Sequence, residues 1–126
     1  MNAADTNLLV RILTRDDPQQ AAIADRFIQP GAWVSVVAVV EAIWVLRRIY
    51  AFDPSQLADA VELILQHEHL TIQDADIVSS ALDLFRTNPA TGFSDCVILE
   101  MARKHGHLPL GTFDRKLGKL SGAHKL

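Results

Sequence analysis

Residues 92–115 read GFSDCVILEMARKHGHLPLGTFDR, and the reading of this stretch decides the fold. Asp95 opens an apolar helical run over residues 95–105, which Ser94 is placed to cap, and Gly106 suits the turn after it. Residues 108–112 then read as a short strand, with Asp114 just beyond its end. One carboxylate at a helix start and another at a strand end are expected at the same rim of a parallel sheet. That rim is where open α/β sheets bind their ligands.

Outward from this stretch, the same alternation recurs. A brief strand is expected to end near Asp5, before a helical turn carrying Leu8, Leu9 and Ile12. Asp16-Asp17-Pro18 starts a second helix, and Pro30-Gly31 ends it. Trp33-Val34 reads as a buried strand, and Ser35 as the cap of a helix running to about Tyr50. The valines of that helix are poor helix formers, but fifteen residues without a turn signal are too long for an ordinary strand. Further helices follow Asp53-Pro54 and Asp74 or Asp76, with a short strand at residues 70–72 between them. A short helix at residues 115–119 and an edge strand at residues 123–126 complete the pattern. Strands alternating with helices predict an α/β fold with helices on both faces of a parallel sheet. Trp33 and Trp44 fall in apolar segments and are expected in the core, not as RNA-stacking platforms. The length, 126 residues, fits one domain over residues 1–126, with no linker or repeat to divide it.

Composition narrows the function classes. No apolar run approaches the roughly 18 residues of a membrane span, and no basic-then-apolar leader opens the chain. Cys96 is the single cysteine, which fits a reducing cytoplasm and excludes an internal disulfide. No glycine-rich phosphate loop is present, so nucleotide binding of that kind is not expected. His67 and His69 lack a third ligand at zinc spacing. The net charge is −3, yet residues 103–126 hold six basic residues against one acid, a local attraction for phosphate.

Most of the fifteen acids fall at caps, turns or solvent faces. Four stand apart: Asp5 at the first strand end, Glu41, Asp95 and Asp114. Glu41 lies in VVAVVEAIWVL with no other charge within five residues. A buried carboxylate there would cost several kcal/mol without a compensating charge, although a helix orientation that exposes it would remove that cost. Asp5, Asp95 and Asp114 can equally be read as helix caps or dipole partners. If the four gather, their repulsion is large: two charges 4 Å apart interact by about 4 kcal/mol at an effective dielectric of 20. A divalent cation relieves it, and a site of oxygen ligands suits Mg²⁺ or Mn²⁺. Thr112 and Asn7 are candidates to support such a site. Cys96 reads as a small buried residue and not as a nucleophile.

Asp5-Thr6-Asn7, Glu41 within VVEAIWVLRR, FSDCVILEMARKHG and TFDRKL, in this order, resemble the PIN-domain ribonucleases, and more narrowly the VapC toxins of VapBC modules. The resemblance spans nearly the whole chain. It implies a three-layer α/β/α sandwich with a five-stranded parallel sheet. It also implies Mg²⁺- or Mn²⁺-dependent endonucleolytic cleavage of RNA, with Asp5, Glu41, Asp95 and Asp114 as the acidic quartet and metal ligands. Thr112 and Asn7 support them, and Arg11, Arg15, Arg47, Arg115 and Lys116 are candidates to guide RNA. A VapB-like antitoxin and a homodimeric state are implied as partners. Two departures are visible: Gly92 stands where many relatives carry an acid, and Ala3-Ala4 stand where relatives carry larger aliphatics. Two other readings remain: a catalytically silent PIN-like module that binds RNA, and a phosphatase with an aspartate nucleophile. The second wants an acid two residues after Asp5, where this chain has Asn7.

Overall fold

The computed structural model describes residues 1–126. The chain forms β1 (Asn2–Ala3), α1 (Thr6–Thr14), α2 (Pro18–Ile28), β2 (Ala32–Val34), α3 (Val36–Arg48) and α4 (Pro54–Gln66). It continues with β3 (Leu70–Ile72), α5 (Ala75–Thr87), α6 (Phe93–Lys104), β4 (Leu110–Thr112), a 3₁₀ turn (Leu117–Lys119) and β5 (Ala123–Lys125). Two compact units are distinguishable, Met1–Ala75 and Asp76–Leu126.

In the first unit, β1, β2 and β3 form a parallel sheet in that order. Ala3 pairs with Trp33, and Trp33 with Thr71. The helices start where the sequence supplies side-chain acceptors. Asp17 accepts from the Gln20 N–H ahead of Pro18, and Asp53 forms a reciprocal cap with Gln56. Ser35 accepts from the Ala38 N–H at 3.1 Å and opens α3. The valine-rich α3 is helical despite its propensities because Ala38, Val39, Ala42, Ile43 and Leu46 all find burial on one stripe. That stripe packs with α1 and α4, beside Leu9, Val61 and Ile64.

In the second unit, α5 buries Ile77, Val78, Ala81, Leu82 and Phe85, and α6 buries Phe93, Cys96, Val97 and Leu99. Phe85 and Phe93 meet edge to face, with centroids 5.9 Å apart. β4 and β5 pair in parallel.

Three expectations need correction. The five strands do not form one sheet; they divide into a three-stranded and a two-stranded ladder. β1 has only two residues, too few N–H and C=O groups to carry pairing on both edges. Helix α6 begins at Phe93 with Gly92 at its cap position, so Ser94 lies inside the first turn and no side chain caps the helix. Trp33 and Trp44 are not core: they are 39% and 57% exposed. The strand period puts Ala32 and Val34 inside and turns Trp33 to the other face.

Candidate active site

In the first unit, Asp5 lies two residues past the end of β1 and caps α1. Its Oδ1 accepts from the Leu8 N–H at 2.9 Å. The cap reading is therefore correct, and it occupies one carboxylate oxygen while leaving Oδ2 free. Glu41 projects from α3 and is exposed. The burial argument for a compensating ion at Glu41 fails, because the helix turns this position to solvent. Asp5 and Glu41 nevertheless line one groove of about 320 Å³, together with Thr6, Ser35, Trp33 and Val37. Asn7 lies exposed in the first turn of α1.

In the second unit, Asp95 lies half-buried in the first turn of α6. Burial pushes its carboxyl above the usual carboxylate range, and the charge of Asp114 pushes it further. Asp114 is exposed; its Oδ1 accepts from the Leu117 N–H at 2.8 Å and starts the 3₁₀ turn. The Thr112 hydroxyl oxygen accepts from the Asp114 N–H at 3.0 Å, which fixes the backbone that carries the carboxylate. Thr112 thus acts on Asp114 itself.

The four acids are among those that no arginine or lysine neutralises, as are Asp17, Asp53 and Asp83. Asp16 pairs with Arg11, Asp25 with Arg15, Glu100 with Arg103 and Asp76 with Lys104. For Arg11 and Arg15 the same pairs matter in reverse. Arg11 also donates to the Tyr50 hydroxyl, so both guanidiniums are held inside the first unit by neighbours. Arg47, Arg115 and Lys116 are exposed.

In each unit the donor chemistry suits a hard divalent ion: Asp5 and Asp114 each keep an oxygen free of its cap, and Asp95 is held above its ordinary pKa by burial and then by a like charge. Within neither unit do three or more His, Cys, Asp or Glu side chains gather as ready ligands. Cys96, next to Asp95, is buried, and its thiol is pushed up to about 11 by burial, then by Asp95 and Glu100. A thiol in that state is no nucleophile. His67 accepts from the His69 N–H, a local turn contact. Sequence reasoning missed Trp33 as a groove residue; the period-two alternation of β2 around it was the available signal.

The PIN domain family matches residues 3–123, so the chain belongs to the PIN domain family. Its members are in general nucleases, hydrolases that act on nucleic acid and typically use divalent metals. Neither the curated proteins nor the solved structures contain a match to this chain. No helix is long and apolar enough to cross a membrane.

Proposed function

We propose that this chain is a Mg²⁺- or Mn²⁺-dependent endoribonuclease and the toxic member of a VapBC-type toxin–antitoxin pair, acting on RNA in the cytoplasm. The observation that carries the reading is a carboxylate pair in each unit: Asp5 and Glu41 line one groove that has no basic side chain, and the charge of Asp114 adds to burial in raising the carboxyl of Asp95. Asp5, Asp95, Asp114 and Glu41 would hold the metal. The ion supplies an activated water and charge neutralisation on the phosphate. The chain's own residues do the rest. Asp5 offers the oxygen that α1 does not use, Glu41 orients water along the same groove, and Thr112 keeps Asp114 in place. Exposed Arg47, Arg115 and Lys116 guide the RNA backbone, and Arg11 and Arg15 join them only by leaving their present partners. A VapB-like antitoxin and a second copy of the chain are its protein partners.

Purified protein should cleave RNA in Mn²⁺. Asp5→Asn and Asp95→Asn should each lower the rate at least about 10–100-fold, the scale of a lost supporting contact at a metal site. The circular dichroism spectrum should not change. Undiminished cleavage by both variants overturns the assignment. RNA binding without cleavage in any divalent metal would make the chain a silent binding module instead.

A further inference from the structure

Trp33 lies on the central strand of the three-stranded sheet, in register with Ala3 and Thr71. Its strand neighbours Ala32 and Val34 are fully buried, yet its own ring is 39% exposed. The ring has no aromatic partner, and its indole N–H has no hydrogen-bond acceptor. Ala3, small and exposed, leaves the space beside it open. Trp33 and Val37 form the apolar wall of the groove that also holds Asp5 and Glu41. At about 320 Å³ the groove falls in the roughly 300–1,000 Å³ range of ligand clefts.

We propose that Trp33 is the stacking platform for an unpaired base beside the phosphate that Asp5 and Glu41 address. The proposal rests on the nuclease reading and names a residue that holds its substrate. Electrostatics explain the need for such a platform. The groove has two carboxylates and no basic side chain, and the whole chain carries −3. The charge of the groove itself therefore does not draw in a polyanion. A flat apolar ring supplies affinity that phosphate repulsion does not cancel, and it suits any base, since every base has a π-face. In a duplex those faces are already covered by neighbours, and the A-form grooves hide them from side chains. The free indole N–H adds one donor for a phosphate or base oxygen at the edge of the stack.

The test uses Trp44→Phe protein, in which Trp33 is the sole tryptophan, without divalent metal so that RNA stays intact. A short unstructured RNA should quench Trp33 fluorescence saturably, and the same sequence as a duplex should bind at least about tenfold more weakly. In otherwise wild-type protein, Trp33→Ala should weaken single-strand binding by about 5- to 100-fold, the range for loss of one stacked base. Trp33→Phe should restore most of it. With Mn²⁺ present, Trp33→Ala should raise KM and leave kcat nearly unchanged. Trp33→Ala should leave the salt dependence of binding nearly unchanged, because stacking releases no counterions. Equal affinity of wild type and Trp33→Ala, or equal binding of duplex, overturns the inference while leaving the nuclease reading intact. Conversion of a dimer to a monomer by Trp33→Ala, with RNA affinity unchanged, also overturns it and makes the ring an interface between copies. Wild-type protein that neither binds nor cleaves RNA in any metal removes the nuclease reading, and this inference with it.

Discussion

At the scale of single residues, Glu41 shows why the surroundings of an acid are hard to read from sequence. An apolar neighbourhood in the chain suggested burial, but the i, i+3, i+4 stripe of α3 passes through Val39, Ala42, Ile43 and Leu46 and leaves Glu41 outside. Its position on the groove with Asp5 was legible; the energetic reason offered for it was not. Trp33 and Trp44 repeat the lesson, since a tryptophan in an apolar run carries no mark of which face it takes. Cys96 was read correctly: one turn after Phe93 in α6, it faces inward with Phe93, Val97 and Leu99. Burial and two nearby carboxylates hold its thiol at about 11. In native protein at pH 8, Cys96 should resist a thiol-specific alkylating reagent, and it should react promptly in denaturant; mass spectrometry after timed quenching reads the difference.

At the scale of elements, local signals served the helices well and the sheet badly. Asp5, Asp17, Ser35 and Asp53 each cap the helix that the sequence assigns to them. Helix α6 is the exception. Gly92 takes the cap position with extended backbone, φ −60° and ψ 147°, and no side-chain oxygen meets the first N–H groups. A Cβ built on Gly92 meets nothing within 4 Å, so a larger residue fits there. Gly92→Asp should therefore stabilise the protein by a few tenths of a kcal/mol, the usual gap between Gly and Asp at this position. The added charge lies three residues before Asp95, so the gain should grow when Mn²⁺ is added. Thermal unfolding with and without the ion checks both parts. The sheet was overestimated because strand residues are recognised by composition, whereas pairing depends on length, and these strands have two or three residues each.

At the scale of the whole molecule, the family match runs through both compact units. The α/β class and the helix order were legible because each rests on spacing along the chain. The division of the strands into two ladders was not, since it depends on backbone groups that a two-residue strand leaves unmatched. If the quartet holds an ion, folding and binding are linked: the folded chain is stabilised by about 2.7 kcal/mol when free metal is a hundredfold above its dissociation constant. Mn²⁺ should raise the melting temperature of wild-type protein by several degrees. Asp95→Asn should lose most of that rise, and so should Asp5→Asn, although the two residues belong to different units. A rise unaffected by either substitution would place the ion elsewhere.

The divided duty of the Asp5 carboxylate also constrains how this gene can drift into silence. One oxygen anchors the start of α1 and the other is spare for chemistry. Asparagine keeps an acceptor for the Leu8 amide and discards the charge, while valine or alanine discards both. If the chain is the toxin proposed above, asparagine alleles selected at codon 5 should accumulate as intact, inert protein. Valine and alanine alleles should show up as degraded chains, since their first helix has lost its anchor as well as its reactivity.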